Sequence, residues 1–463
     1  MANALDIPRI VVAATGSGVG KTTATVALMG ALRARGLKVA PFKCGPDYLD
    51  PTYHQRAAGI RSHNLDGWMM HRDGVVATFA HASRGADVAV IEGMMGLFDS
   101  ATPTSDEGST AEIAKWLDAP VLLVHDASGI ARTISAIAAG FARFDPAVRL
   151  AGLICNRVGS RGHLDLLRAA EPEVPIVGGF PEQSDLAFPE RHLGLLMADE
   201  AAVPQSRLDG WGRLAAEWLD LDAILAIARS APPLDDVAQR ASQSPTQAKC
   251  RIGIAFDDAF HFYYEDNLNR LRALGAELVN FSPSRDRTLP DVDGLYFGGG
   301  YPEALARELS SNAQMLDAIR KFAARGGVIY AECGGLMYLS ESIRTLDGTT
   351  WPMAALIPGV AVMSDRLQAL GYAEITTRRE SILGPAGTSF RGHQFRYSTL
   401  RRDEGENEIE CIYDVKPRWG ANAFAEGYRR RHVLASYVHA HWASNPKVAE
   451  NLVGACASNR RGV

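Results

Sequence analysis

One segment near the start of the chain limits its fold more than any other. A β-branched run at 10–14 leads into a Gly-rich turn ending in Gly-Lys-Thr, and a helical pattern follows at 22–35. Backbone N–H groups of such a turn, with the positive end of a helix behind them, bind phosphate oxygens. We therefore predict a strand–loop–helix unit that binds a nucleotide through Gly16, Ser17, Gly18, Val19, Gly20, Lys21, Thr22 and Thr23.

Two residues of this loop have separate predicted tasks. Lys21 is placed to reach the outer phosphates, and the Thr22 hydroxyl is placed to ligate Mg²⁺. The strict motif has Gly where this chain has Thr15, so the loop is a variant. The alternative, a Gly-rich turn with a surface lysine, does not explain why strand, loop, Gly-Lys-Thr and helix occur in this order.

Composition excludes several classes of partner. The 463 residues have a net charge of −5 and are 47% hydrophobic, which is typical of a globular protein without an electrostatic preference for nucleic acid or membrane surfaces. The chain has no apolar run of membrane-spanning length and no pattern of a signal peptide. Its six cysteines are scattered, which favours neither disulfides nor zinc. We expect a cytoplasmic protein with no nucleic-acid or membrane partner, and we leave a homodimer open.

The hydrophobic pattern divides the chain into two α/β halves. Further strand-like runs at 38–42, 88–91, 120–124 and 150–155 alternate with helix-sized segments, which indicates a mainly parallel sheet. A polar, Pro-containing stretch at 231–249 lacks periodicity and is the predicted linker. The alternation then resumes in runs at 251–256, 277–281, 294–297 and 328–331. We predict domains at 1–230 and 250–463.

A second segment with phosphate-binding and metal-binding potential follows the second strand. Lys43 lies at its start, and Asp47 and Asp50 lie on a turn shaped by Gly and Pro. Carboxylates suit the hard cation Mg²⁺. We predict that Lys43 contacts the nucleotide and that Asp47 and Asp50 act in catalysis, the alternative being a solvated turn.

Other polar residues end the predicted strands. Glu92 ends the run at 88–91, with Asp99 on the adjoining loop, and ligands of open parallel sheets gather at the carboxyl ends of strands. We predict that Thr22, Asp47 and Glu92 bind the metal and that Asp99 is catalytic. Asn156 follows the run at 150–155, where its amide could read an adenine edge or merely shape a turn.

Cys333 marks a second predicted site, in the other half. It follows the run at 328–331 and precedes Gly334-Gly335, which is typical of a nucleophile at a sharp strand-to-helix bend. Such a position exposes the sulfur, and we expect the helix N-terminus to lower the pKa of the thiol. The N–H of Gly334 and those of the loop containing Gly299 and Gly300 are the predicted oxyanion-hole donors.

A nucleophilic cysteine needs a base, and the C-terminal part of the chain offers two histidines. His439 is the predicted base, and His441 lies two residues on, on the same face of an extended strand. His393 is a competing base, which we interpret instead as part of a substrate loop.

Taken together, these residues resemble the cobyrinic acid a,c-diamide synthase family along essentially the whole chain. The first half resembles the ATPase domain of the dethiobiotin synthetase type, and the second resembles a class I glutamine amidotransferase. The most specific stretches are 45–50, 91–99 and 392–398.

The resemblance implies amidation of the a and c carboxylates of cobyrinic or hydrogenobyrinic acid in cobalamin biosynthesis, with ATP and glutamine as substrates and Mg²⁺ as cofactor. It implies that Cys333 is the glutaminase nucleophile and His439 its activator. It also implies that residues near the nucleotide, the metal and the corrinoid carboxylate occupy the two N-terminal stretches: Asp47, Tyr48, Leu49, Asp50, Glu92 and Asp99. His393 and Arg396 are the further predicted substrate contacts.

The sequence departs from the expected pattern in two places. His441 occupies the position where ordinary class I amidotransferases have Glu, and Gln394 and Arg396 occupy positions where Glu and His are expected. Two alternatives of the same chemistry are nickel-sirohydrochlorin a,c-diamide synthase and cobyric acid synthase. An alternative of another class is a regulatory P-loop ATPase with an inactive glutaminase-like module.

Overall fold

The computed structural model describes residues 4–100, 102–182, 203–235, 248–402, 409–420 and 422–461. The chain divides into an N-terminal unit, residues 1–241, and a C-terminal unit, residues 242–463. This division falls within the predicted linker at 231–249, but Leu234–Asp235 pairs with Ala4–Leu5 and so belongs to the N-terminal unit. Residues 236–247 lie outside the described residues, and the linker remains a prediction there.

The N-terminal unit is built on a seven-stranded sheet, counted over the described residues, in which every strand pair is parallel. Its strands, with the two outlying short ones, are β1 Ala4–Leu5, β2 Arg9–Ala14, β3 Val39–Cys44, β4 His63–Leu65, β5 Val88–Glu92, β6 Val121–Asp126, β7 Leu150–Val158, β8 Ile176–Pro181 and β9 Leu234–Asp235. The order β4-β3-β5-β2-β6-β7-β8 places β2, which precedes the phosphate loop, at the centre.

Helices cover this sheet as the alternating pattern predicts. They are α1 Lys21–Ala34, α2 Asp50–Ala58, α3 Gly67–Ala82, α4 Thr110–Trp116, α5 Thr133–Phe144, α6 Arg161–Ala169, α7 Gln205–Trp218 and α8 Leu221–Arg229. Helices α1 and α7 cross closely because two glycines meet: a Cβ on Gly212 would lie 3.2 Å from the Gly30 carbonyl carbon. Trp211 is fully buried beside this crossing.

The C-terminal unit has a ten-stranded sheet among the described residues, and only half of it is parallel. The strands of this unit are β10 Cys250–Ala255, β11 Ala276–Phe281, β12 Gly294–Phe297, β13 Val328–Glu332, β14 Ser340–Arg344, β15 Thr350–Pro352, β16 Ile357–Met363, β17 Ala369–Thr377, β18 Ser389–Arg396, β19 Ser398–Arg401, β20 Glu410–Pro417, β21 Phe424–Arg430, β22 Val433–Ser436 and β23 His439–His441.

The large sheet has the order β11-β10-β12-β13-β22-β21-β20-β17-β18-β23, and the strands beyond β22 pair antiparallel. A separate four-stranded sheet has the order β15-β14-β16-β19. The helices are α9 Glu265–Ala273, α10 Ala306–Ser311, α11 Ala313–Ala324, α12 Gly334–Leu339 and α13 Lys447–Arg461, with a short 3-10 helix at Trp442–Ser444. The sequence predicted the parallel strands of this unit but not its antiparallel extension.

Candidate functional site

The phosphate loop lies between β2 and α1, as predicted. Gly18 and Gly20 have φ angles of 78° and 92°, which favour glycine. A Cβ on Gly20 would also lie 2.1 Å from Asn156 Nδ2, and this amide donates a hydrogen bond of 2.8 Å to the Val19 carbonyl. The structure therefore shows Asn156 bracing the loop, while its contact with adenine remains a prediction.

The variant position of the loop also has a partner that sequence reasoning missed. Thr15 does not have a positive φ, so the backbone here does not require the glycine of the strict motif. The Thr15 Oγ1 and His125 Nδ1 atoms lie 2.9 Å apart, and the Thr15 N–H donates to the Val124 carbonyl. The end of β6 therefore holds the first residue of the loop.

A buried cluster of charged side chains lies beside the loop. Lys43 Nζ is 2.7 Å from Asp50 Oδ2 and 2.9 Å from Glu92 Oε1, and all three side chains are at most 5% exposed. The Thr22 hydroxyl donates to Glu92 Oε1 at 2.7 Å and lies 3.4 Å from Asp50 Oδ2. The cluster joins the ends of β3 and β5 to α1 and α2, and each of its four residues had been selected from the sequence, for a role that remains a prediction.

The charges of this cluster stabilise one another. Burial alone would lower the pKa of Lys43, but Asp50 and Glu92 outweigh it and raise that pKa. Burial raises the pKa of Glu92, but the Lys43 ammonium and a hydrogen bond from His54 outweigh it, and the pKa falls below its ordinary value. Lys43 is therefore a cation and Glu92 a carboxylate at neutral pH. The structure places Lys43 on these carboxylates, and its predicted contact with the nucleotide is untested.

Lys21 lies at the start of α1, where its ammonium donates to the Met95 carbonyl at 3.3 Å. Burial lowers the pKa of Lys21, and the nearby Lys43 lowers it further. Two cations are thus close together next to the phosphate loop. This arrangement suits an anionic ligand, whose charge would stabilise both of them.

The turn before α2 explains how Asp50 reaches the cluster. Asp47 Oδ1 accepts hydrogen bonds from the N–H groups of Leu49 and Asp50 at 2.7 and 3.0 Å, and Asn64 Nδ2 donates to the Gly45 and Asp47 carbonyls. Asp47 therefore shapes the turn, and Asp50, rather than Asp47, contacts Thr22 directly. The roles of Asp47 in metal binding and of Tyr48 and Leu49 in substrate binding remain predictions.

Asp99 closes a similar turn on the neighbouring loop. Its Oδ2 accepts a 2.7 Å hydrogen bond from the Gly96 N–H, and the Leu97 N–H donates to the Ala14 carbonyl at the end of β2. This loop is therefore fixed to the start of the phosphate loop. Its predicted catalytic role is not tested by this geometry.

Sequence reasoning missed His54, which lies one helical turn after Asp50 in α2. Its Nε2 is 2.5 Å from Glu92 Oε2, its Nδ1 is 3.2 Å from Ser62 Oγ, and its side chain is fully buried. The i, i+4 spacing from Asp50 places both side chains on one face of the helix, and this spacing was the available signal.

In the C-terminal unit, Cys333 occupies a strained bend. It joins β13 to α12 with φ 48° and ψ −101°, a conformation that L-residues rarely adopt. Its N–H donates a 2.7 Å hydrogen bond to the Ser436 carbonyl, and its sulfur lies 3.9 Å from the Phe395 carbonyl oxygen. Such a bend matches the predicted nucleophile elbow.

The expected lowering of the thiol pKa is wrong. Cys333 is only 8% exposed, and burial raises the pKa of its thiol to about 12, with the nearby Glu303 carboxylate adding to the effect. Arg396 and the Gly334 N–H lower the pKa but do not compensate for burial. The sequence indicated the position of the sulfur at the start of a helix but not its desolvation. The resting site therefore holds a neutral thiol.

Two of the predicted oxyanion-hole residues, Gly300 and Gly334, meet at this bend. The prediction for Gly299 is wrong, because its N–H already donates to the Phe262 carbonyl at 3.2 Å. The Gly335 N–H donates to the Gly298 carbonyl at 3.0 Å, and a Cβ on Gly334 would lie 3.0 Å from the Gly300 nitrogen. Gly300 has φ 152°, and a Cβ there would collide with the Ala259 carbonyl oxygen at 2.0 Å. Only glycine allows this close approach of loop and elbow.

His439 lies against the same loop. A Cβ on Gly299 would lie 2.4 Å from His439 Cε1, so the glycine makes room for the ring. Burial lowers the pKa of His439 to about 3 and that of His441 to about 4, which leaves both rings neutral. His441 instead packs on Tyr264, with ring centroids 4.6 Å apart. The geometry thus places His439, not His441, beside the glycine loop that contacts the bend of Cys333.

A buried carboxylate positions the strand of these histidines, and sequence reasoning assigned it no role. Glu332 accepts hydrogen bonds from the Ala440 N–H at 3.0 Å, the Tyr330 hydroxyl at 2.7 Å and the Tyr296 hydroxyl at 2.9 Å. Burial raises the pKa of Glu332 to about 7. Its position next to Cys333 in sequence was the only available signal.

The two predicted substrate contacts of β18 lie near this site. His393 pairs with His439 across neighbouring strands, and burial lowers its pKa to about 4. The Arg396 guanidinium lies 4.5 Å above the Tyr437 ring and donates to the Ser398 carbonyl. These residues are within the glutaminase-like part of the chain, and their contact with a substrate remains a prediction.

Comparison with known proteins agrees with this division of the chain. Residues 10–195 match the CobQ/CobB/MinD/ParA nucleotide binding domain, and residues 251–447 match the CobB/CobQ-like glutamine amidotransferase domain. No helix of the described residues is long and apolar enough to cross a membrane.

The chain is also similar over nearly its whole length to proteins named cobyrinate a,c-diamide synthase. It is 54% identical to one from Leptospira interrogans over 98% of this chain and 99% of that protein. It is 46% identical to one from Syntrophotalea carbinolica, again over 98% and 99%, and 40% identical to one from Priestia megaterium over 98% of each. Because it matches these synthases end to end and has a glutamine amidotransferase domain, the chain is an amidating ligase and belongs to the cobyrinate a,c-diamide synthase family.

Proposed function

We propose that this protein amidates the a and c side-chain carboxylates of cobyrinic or hydrogenobyrinic acid, using one ATP and one glutamine for each amide. The observation that supports this most is the presence, in one chain, of a phosphate loop beside buried carboxylates and of a glycine loop that lies against both His439 and the bend of Cys333. The end-to-end similarity to cobyrinate a,c-diamide synthases favours the corrinoid as the acceptor.

The C-terminal unit would release ammonia from glutamine. The neutral His439 takes the proton of the Cys333 thiol as the sulfur attacks the amide carbon, so the thiolate forms only during the reaction. The N–H groups of Gly334 and Gly300 stabilise the oxyanion. His439 then protonates the leaving ammonia, and water hydrolyses the thioester to release glutamate.

The N-terminal unit would activate the acceptor. A corrinoid carboxylate oxygen attacks the γ-phosphorus of ATP, ADP leaves, and an acyl phosphate forms. Lys21 and the N–H groups of the phosphate loop stabilise the charge on the transferred group. Ammonia then attacks the acyl carbon, and phosphate leaves as the amide forms.

The residues beside the loop fit Mg²⁺, which would neutralise phosphate charge when bound. The Thr22 hydroxyl oxygen lies 2.7 Å from Glu92 Oε1 and 3.4 Å from Asp50 Oδ2, and all three are hard oxygen donors. Because the described residues contain no group of three or more His, Cys, Asp or Glu side chains suited to a metal ion, the nucleotide would have to supply further ligands. This requirement is typical of Mg²⁺ bound together with a nucleotide.

The proposal is tested by incubating the protein with ATP, Mg²⁺ and glutamine and with cobyrinic acid, hydrogenobyrinic acid or nickel sirohydrochlorin in turn. We expect mass spectrometry to show two amides on a corrinoid acid, with one glutamate and one ADP released for each amide. Amidation of the nickel compound alone would transfer the assignment to that tetrapyrrole. Failure to amidate any of these a,c-diacids would contradict the proposal.

A further inference from the structure

A buried histidine contacts the charged cluster of Lys43, Asp50 and Glu92 in the N-terminal unit. His54 and Glu92 are both fully buried, and His54 Nε2 lies 2.5 Å from Glu92 Oε2. On the other side of the ring, Nδ1 lies 3.2 Å from the Ser62 hydroxyl oxygen. Ser62, His54 and Glu92 thus form a chain of polar contacts that ends beside the phosphate loop.

Both ring nitrogens of His54 have a hydrogen-bond partner. Glu92 is a carboxylate and can only accept hydrogen bonds, so the Nε2 atom of His54 donates to it. The Nδ1 atom lies 3.2 Å from the Ser62 hydroxyl oxygen, which can either donate to this nitrogen or accept from it. The two contacts together fix the orientation of the ring.

The two oxygens of Glu92 have different partners. Oε1 lies 2.7 Å from the Thr22 hydroxyl and 2.9 Å from Lys43 Nζ, on the side of the phosphate loop. Oε2 faces His54. Without a donor at His54, Oε2 would be buried without that hydrogen bond, and the carboxylate would turn toward Lys43 to recover one.

We propose that His54 is a positioning residue that holds Glu92 with its Oε1 atom directed at the Mg²⁺·nucleotide site. The inference rests on the proposed function, in which Thr22, Asp50 and Glu92 surround Mg²⁺·ATP. His54 does not touch the nucleotide; it acts through the carboxylate. Histidine–carboxylate pairs behind a metal site typically change metal affinity by about 10–100-fold when broken.

Two variants separate positioning from packing. H54Q keeps an N–H donor close to the position of Nε2, whereas H54F keeps an aromatic ring and removes the donor. Binding of Mg²⁺ with a non-hydrolysable ATP analogue to the full chain is measured by calorimetry, without corrinoid or glutamine. We expect H54F to weaken Mg²⁺-dependent binding by about 10–100-fold and H54Q to stay within about threefold of the unaltered protein.

Two results would overturn the inference. One is a folded H54F protein that binds the Mg²⁺·analogue as tightly as the unaltered protein. The other is equal weakening by H54F and H54Q, since the ring would then matter only for packing. If H54F does not fold, S62A tests the same chain: about tenfold weaker binding supports the inference, and binding within about threefold of the unaltered protein contradicts it.

The inference about His54 and the proposed function can be refuted separately. A protein that binds the Mg²⁺·analogue in a His54-dependent manner but amidates no corrinoid would contradict the proposed function and leave the inference intact. A protein that amidates the corrinoid while H54F binds normally would contradict the inference alone.

Discussion

The two units bury titratable groups in opposite ways. In the N-terminal unit, Lys43 and Glu92 stay charged because the ammonium and the carboxylate lie 2.9 Å apart, with Asp50 Oδ2 2.7 Å from the same ammonium. In the C-terminal unit, burial outweighs the other influences on Cys333 and His439 and shifts both pKa values toward the neutral form.

This difference follows from what each site would handle. A polyphosphate with a metal brings fixed charge, and fixed charges around it must already be paired and oriented before it binds. A glutamine amide is neutral, and charge appears there only during the reaction. The phosphate-loop site therefore has side chains that are charged before the ligand binds. The cysteine site has side chains that become charged only during the reaction.

The largest expected effect comes from neutralising one permanent charge. E92Q removes the carboxylate that faces both Thr22 and Lys43, so we expect amidation to fall by about 100-fold or more with either glutamine or free ammonia as nitrogen source. Basal glutamine hydrolysis should not follow this loss.

A matched control is E217Q, which removes an exposed carboxylate paired with Arg161 in the same unit. We expect E217Q to have normal activity. If E92Q kept ammonia-dependent amidation, the charged cluster would not act in the synthetase reaction.

A smaller but direct effect concerns the thiol. A pKa of about 12 leaves Cys333 with about 3,000-fold less thiolate at pH 7.5 than an ordinary thiol of pKa about 8.5. The higher nucleophilicity of such a thiolate offsets about 30-fold of this, so iodoacetamide should label Cys333 about 100-fold more slowly. The labelling rate should keep rising up to about pH 10, and peptide mass spectrometry follows it. C411S removes a partly exposed competing thiol. A rate that levels off near pH 8 would show a thiolate already present.

The sequence predicted elements whose evidence is local. The strand before the phosphate loop, the glycines of both loops and the Cys-Gly-Gly bend follow from short-range sterics and hydrogen bonding, and the structure contains them. The antiparallel strands β17–β21 were not predicted, because their polar and apolar residues alternate without a motif and their pairing is long-range.

Residues that act through others were also missed. His54 is hydrogen-bonded to Glu92, 38 residues away in the sequence. Glu332 accepts a hydrogen bond from the N–H of Ala440, next to His439 and 108 residues away. The predicted lowering of the Cys333 pKa was wrong because that pKa depends on burial by residues distant in the sequence. Position at a helix start is visible in the sequence, but burial by distant segments is not.

The smallest expected effect is a difference in acid sensitivity. The pKa values of His393, His439 and His441 are lowered to about 4, 3 and 4, whereas unfolded histidine has about 6.5. The unfolded chain therefore takes up protons first, and acidification from pH 6.5 to about 4 favours unfolding of these segments.

Glu332 acts in the opposite direction. Its pKa of about 7 exceeds the unfolded value of 4.5, so its stabilising contribution is present at low pH and is lost as the pH rises to 7. Glu426, which accepts hydrogen bonds from Ser436 and Tyr437, acts in the same direction because burial raises its pKa. Three histidines outweigh these two carboxylates below pH 6.5. Hydrogen exchange, corrected for intrinsic rates, should accelerate at 433–442 more than at 88–92 between pH 6.5 and 4.5. Equal acceleration of both segments would contradict the comparison.

The central claim is that one unit makes ammonia and the other uses it, and C333A tests this most directly. The variant and the unaltered protein receive ATP, Mg²⁺ and cobyrinic acid with either ¹⁵N-amide glutamine or ¹⁵N-ammonia, and mass spectrometry reads ¹⁵N in the product. We predict that C333A incorporates no ¹⁵N from glutamine but forms the diamide from ammonia like the unaltered protein. A folded C333A protein that ammonia cannot rescue, or one that still uses glutamine, would contradict the account.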